Sequence, residues 1–237
     1  ATFDRALDIV TSTYGPGHPE TATALSNLGR VRGELGDLSS AREAFERALS
    51  IVTAVYGNRH PTVSAVLDDL GRVLRQLGQP SEARAIHERA LAIDEEFYGP
   101  EHPNVAFDLK ALGTVLRDLG LLPEAESHLT RALAITERIY GADHPEVADA
   151  LNDLGPVLQE TGDVEGASAS FERALAITEA AYGPEHPELA EVLNNLGQVK
   201  RQIGDLDAAK AYFQRALAIA ERIYGAEHSV TAGVLGN

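Results

Sequence analysis

The chain has 237 residues, 44% apolar and 24% charged, with a formal net charge of −16. This is the balance of an ordinary globular protein whose acidic surface argues against nucleic acid and anionic membrane as partners. The absence of cysteine excludes disulfides, thiolate metal sites and cysteine nucleophiles, and no stretch approaches the ~20 apolar residues of a membrane-spanning helix.

A self-similarity of 42 residues organises everything else. Tyr-Gly recurs at Tyr14, Tyr56, Tyr98, Tyr140, Tyr182 and Tyr224, each followed at constant distance by His18, His60, His102, His144, His186 and His228. Residues 1–14 match the second half of the next unit, since Phe3-Asp-Arg-Ala-Leu-Asp-Ile-Val parallels Phe45-Glu-Arg-Ala-Leu-Ser-Ile-Val. They therefore read as a partial second helix. Full repeats follow at about 15–56, 57–98, 99–140, 141–182 and 183–224, and residues 225–237 open a further first helix.

Within each repeat the pattern predicts two helices. The first starts at His-Pro, because proline is tolerated at the first helical position, where its missing N–H has no partner to lose. Its apolar stripe is Leu25, Leu28, Val31 and Leu35, and the columns of Leu25, Leu28 and Val31 recur in every full repeat. Gly36 ends it in a left-handed conformation, and Asp37 caps the second helix. That helix buries Ala41, Phe45, Ala48, Leu49 and Val52 and stops at Tyr56-Gly57. The glycine of each Leu-Gly pair marks a close approach of the first helix to the second. Pro156 falls inside the fourth first helix, where it removes a hydrogen bond and is expected to bend it.

Leu25-x-x-Leu28-Gly29, Gly36, Ala41-x-x-x-Phe45 and Ala48-Leu49 resemble the tetratricopeptide repeat (TPR) pattern. The 42-residue length, the Tyr-Gly-x-x-His-Pro junction and Leu193-Asn194-Asn195-Leu196 resemble kinesin light chain-type repeats and the sensor regions of bacterial multidomain signalling ATPases. The aromatic residue of the family's first column is Leu throughout, and the Phe of the second helix is His87 and Leu129 in the middle repeats. The resemblance implies an all-α, right-handed superhelical solenoid, residues 1–237 forming a single array. It implies a non-catalytic scaffold that binds a protein or peptide in a concave groove. Two alternatives stay open: an array that self-associates through exposed ends into homo-oligomers, and a sensor or adaptor region of a larger signalling ATPase.

The same resemblance implies that first-helix positions line the groove, here Arg30, Asp68, Arg72, Arg75, Phe107, Lys110, Arg117, Asn152, Asn194 and Arg201. The first three repeats concentrate basic residues there against a chain-wide excess of acid, which suggests an acidic peptide or C-terminal carboxylate held by arginine. The histidine row reads as a set of junction residues and not as metal ligands, since one ligand per repeat leaves neighbours about 10 Å apart. The column Arg47, Arg89, Arg131, Arg173 and Arg215 predicts a repeated contact with a neighbouring carboxylate or helix end. Adjacent acids such as Asp68-Asp69 and Glu95-Glu96 diverge by about 100° on a helix and read as solvated faces. No phosphate loop or catalytic constellation stands out, so neither an enzyme nor a cofactor is expected. No secretory signal is legible, which makes the cytoplasm the expected location.

Overall fold

The computed structural model describes residues 2–225, with the side chains of Thr2 and Tyr224 outside that description. The partial first helix expected over 225–237, including His228, lies outside the described residues beyond Gly225. Among them there are eleven α-helices and no strand. The chain forms two compact units, residues up to 121 and residues from 122 onward. The first unit contains α1 (Thr2–Tyr14), α2 (Pro19–Glu34), α3 (Leu38–Tyr56), α4 (Pro61–Gln76), α5 (Pro80–Tyr98) and α6 (Pro103–Asp118). The second contains α7 (Leu122–Tyr140), α8 (Pro145–Thr161), α9 (Val164–Tyr182), α10 (Leu189–Ile203) and α11 (Leu206–Tyr224).

The junction chemistry explains these boundaries. His18, His60, His102 and His144 are N-caps whose Nδ1 accepts from the backbone N–H two residues on, at 3.1–3.2 Å. Each ring also stacks on the preceding tyrosine, with centroids 4.1–4.9 Å apart. The lone pair that a metal would need is thus already engaged at Nδ1. The fifth junction departs from the rule: α10 starts only at Leu189, and buried His186 Nδ1 meets no donor.

Helices α2, α4, α6 and α10 end in a Schellman motif. At the end of α2, Gly36 (φ +81°) donates to the Gly33 carbonyl and Asp37 donates to the Arg32 carbonyl. Asp37, Asp163 and Asp205 then accept from the N–H three residues on at 3.0–3.3 Å, capping α3, α9 and α11. In the second repeat Pro80 at the helix start replaces that side-chain cap. Helix α8 runs past Pro156 to Thr161 and ends on left-handed Gly162.

The repeated columns are the core. Leu67, Leu109 and Leu193 are fully buried, as are Ala48, Ala90, Ala132, Ala174 and Ala216. The Leu-Gly glycines bring the first helix against rings of the second. A Cβ on Gly155 would lie 2.4 Å from the buried Phe171 ring, and one on Gly71 2.5 Å from the His87 ring. Of the expected core residues, Val31 and Leu49 are half-buried and Leu35 is 79% exposed. Leu77, the counterpart of Leu35, packs on a cluster containing Ala41 and Phe45; one repeat earlier the place of Phe45 is held by Phe3, itself 45% exposed.

The arginine column ties hairpins together within each unit. Arg89 donates to Asn58 Oδ1 at 3.2 Å, Arg173 to the Ala142 carbonyl at 2.7 Å, and Arg215 to the Pro184 carbonyl at 2.8 Å. Each reaches back 31 residues to the preceding junction. Arg173 and Arg215 also pair with Glu137 and Glu179.

Candidate functional site

In the first unit, five of the expected groove residues come together. Arg30, Asp68, Arg72, Arg75 and Phe107 line a groove of about 520 Å³ with Asp69, His87, Ala111 and Thr114. They converge because their positions fall on α2, α4 and α6, the first helices of successive hairpins. Lys110 and Arg117 lie half-buried on α6 but do not line this groove. Asn152, Asn194 and Arg201 belong to the second unit, on α8 and α10. There Asn152 and Asn194 are half-buried and Arg201 is exposed.

The arginines are held by acids of the same face. Asp69 accepts from Arg30 at 2.8 Å and from Arg72 at 3.0 Å, and Asp118 accepts from Arg75 at 2.5 Å. Their side chains remain 37–56% exposed, so each keeps part of its guanidinium edge in water. Phe107 is 56% exposed beside them. The reading of Asp68-Asp69 as a solvated pair needs correction: their side chains are only 14% and 13% exposed. The divergence of adjacent helical residues holds, but it sends Asp69 to the arginines and Asp68 to His87 Nδ1 at 3.1 Å. Glu96 is exposed and pairs with Arg59 at 2.7 Å.

Sequence reasoning missed a second set of polar residues under the same groove. Asp68, Asp94 and Asp108 line an adjoining recess of about 270 Å³ with Ser64, Asn104 and Phe107. Asp108 is completely buried, and Asp94 is 2% exposed. Ser64 donates to Asp94 at 2.5 Å. Neither oxygen of Asp108 meets a donor. Burial, then the charge of Asp68, pushes the Asp108 carboxyl up to about 10; protonated, it can donate to Asp68. Burial also raises Asp94, against the lowering effect of the Ser64 hydrogen bond.

The repeat itself carried the signal for this set. Asp108 occupies the column of Ala24, Val66, Ala150 and Val192, and Asp94 that of Val10, Val52, Thr136, Thr178 and Ala220. Ser64 replaces Ala22, Ala106, Ala148 and Ala190, and His87 stands where Phe45, Phe171 and Phe213 stand. Three of these departures from apolar or small columns, Ser64, Asp94 and Asp108, meet at the recess, and the fourth, His87, lines the adjoining groove.

Stacked helix hairpins with a side-chain-lined groove on their first helices define a class of protein-interaction scaffold. The sequence matches the tetratricopeptide repeat model over residues 1–54, 40–96, 81–137, 108–180, 147–222 and 195–237, and the chain belongs to this family. The fold is accordingly the all-α TPR solenoid class. BtubC (BKLC) from P. vanneervenii is similar in structure, with a TM-score of 0.78 and 25% identity over 94% of this chain and 90% of that one. So is a Podosopora anserina protein of kinesin light chain type with nearly identical TPR-like repeats, with a TM-score of 0.73 and 24% identity over 87% and 98% of the two chains. MamA shares the fold more distantly, with a TM-score of 0.55 and 22% identity over 90% and 98%. No curated protein matches the sequence. No helix among the described residues is long and apolar enough to cross a membrane.

Proposed function

We propose that the chain is a non-catalytic scaffold whose first unit binds a peptide segment of a partner protein, with acidic side chains or a terminal carboxylate facing Arg30, Arg72 and Arg75. The observation that supports this reading is the convergence of these arginines and exposed Phe107 around one groove of about 520 Å³. Exposed ion pairs contribute little to stability, so a carboxylate from a ligand can share the guanidinium edges that Asp69 and Asp118 leave open. Asp69 and Asp118 also fix the arginines in place, which reduces the side-chain entropy lost on binding. Phe107 supplies the apolar contact that turns charge attraction into a defined pose.

Screening an immobilised peptide library, followed by fluorescence polarisation with the best acidic hits, tests the reading. Reversal of Arg72→Glu and Arg75→Glu together should weaken those hits by about 10-fold or more, the scale of losing charge-assisted contacts. Equal affinity for the wild-type and reversed proteins would show that the arginines serve only their intramolecular partners.

A further inference from the structure

The recess under Phe107 is built against the rule that shapes the rest of the core. Val66, Ala150 and Val192 are buried at the position of Asp108, and Val52, Thr136 and Thr178 at that of Asp94. A repeat unit therefore folds perfectly well with no carboxylate at either place. Burying a carboxyl group without a donor destabilises the fold, and sequences keep such departures from their own pattern chiefly at functional sites. These two carboxyl groups are brought here, with Asp68 and the arginine-paired Asp69 of α4, onto one space of about 270 Å³. That space is far larger than one water, whose share of liquid volume is about 30 Å³.

We infer that this recess receives the ammonium group of a lysine side chain from the bound peptide, with Asp68, Asp94 and Asp108 as its three acceptors. The inference rests on the first unit being a peptide-binding groove. An ammonium carries three N–H donors and no acceptor, which matches three carboxyl groups converging from α4, α5 and α6. Phe107 borders the recess and is exposed, so its ring can cover the alkyl stem and face the cation. Asp68, Asp94 and Glu95 act on Asp108, Asp69 on α4 and Arg30 on α2 line the recess with it, and His87 on α5 and His102 before α6 act on Asp68 and Asp94 respectively. Arg30 is drawn toward Asp69 at 2.8 Å, and Ser64 already satisfies one oxygen of Asp94. The unsatisfied acceptors are those of Asp108. As the ammonium enters, Asp108 releases its proton to solvent, so that one positive charge replaces another. The lysine position thus complements the acidic side chains that face the arginines.

The test uses N-acetyl-lysine N-methylamide as probe, titrated into the ¹⁵N-labelled chain and followed by NMR. This probe reports on the recess without any acidic peptide, so its outcome is independent of the arginine reversal. Saturable shifts at Ser64, Asp94 and Asn104 are expected with a Kd on the order of 10 mM, a fragment-scale affinity. The norleucine analogue, which lacks the ammonium, should give none. Asp94→Val restores the residue of Val10 and Val52 and so keeps the fold; it should weaken binding at least about 10-fold. In the wild type, binding should tighten between about pH 6 and pH 8, where lysine stays charged. Asp108→Asn should abolish that pH dependence, whereas a dependence set by His87 would survive it. Equal shifts with norleucine, undiminished binding by Asp94→Val, or a pH dependence that persists in Asp108→Asn would each overturn the assignment.

Discussion

Replacing Asp108 by asparagine should make the stability of the first unit less sensitive to pH. Asp108 is fully buried, its oxygens meet no donor, and its carboxyl is pushed up to about 10. In the unfolded chain the same group titrates near 3.9, so between these values the native state holds a proton that the unfolded state has lost. Stability from this group is therefore fully present below about pH 4 and declines as pH rises toward 10, by about 1.4 kcal/mol per pH unit. From about pH 4 to pH 7 the loss is on the order of 4 kcal/mol. Asparagine has the shape of the protonated carboxyl and can donate to Asp68, but it has no proton to lose. Urea unfolding followed by circular dichroism, at several pH values for both proteins, reads the difference directly. The variant should match the wild type near pH 4 and exceed it increasingly toward pH 7, while the other acidic groups titrate in both proteins. Parallel pH profiles would refute a buried, proton-retaining Asp108.

Two further pairs of substitutions test the packing and the caps. Gly33→Ala should raise the unfolding midpoint, because its Cβ meets nothing nearer than 4.0 Å and the substitution removes about 0.5–1 kcal/mol of unfolded-state entropy. Gly155→Ala should lower it, since a Cβ 2.4 Å from the Phe171 ring overpacks the core by about 1–3 kcal/mol, outweighing a helix-propensity gain of about 1 kcal/mol. Shifts of the same sign in calorimetry would contradict this account of the Leu-Gly column. His144→Ala should destabilise by about 1 kcal/mol through loss of an N-cap, and His186→Ala by less, because both rings stack on tyrosine but only His144 caps. Equal losses in denaturant titrations would assign the stability to the stack.

Most of the secondary structure was legible because its causes are local and repeat every 42 residues. His-Pro, Leu-Gly, Gly-Asp and Tyr-Gly each specify a helix start, a close approach or a stop, and they recur often enough to confirm one another. Tertiary partners were harder to read. The sequence placed Arg30, Arg72 and Arg75 on one face, but bringing Arg30 to the Asp69 that Arg72 already meets within α4 depends on the geometry between α2 and α4. Asp94 and Asp108 were visible as breaks in apolar columns, yet each looks like an ordinary surface acid until α4, α5 and α6 bring them together. Leu35 and His186 obey the local pattern in sequence and depart from it in structure, Leu35 because its surroundings differ from those of Leu77 and His186 because α10 starts two residues later than its counterparts.

The arginines that reach back 31 residues give assembly a direction. A junction such as that at Ala142 or Pro184 is made by one hairpin but latched by a side chain synthesised later. During translation, each of these two bends therefore waits for the next second helix before its carbonyl is secured. Losing a hairpin on the downstream side would unlatch the bend before it, whereas losing one upstream would leave only an idle guanidinium.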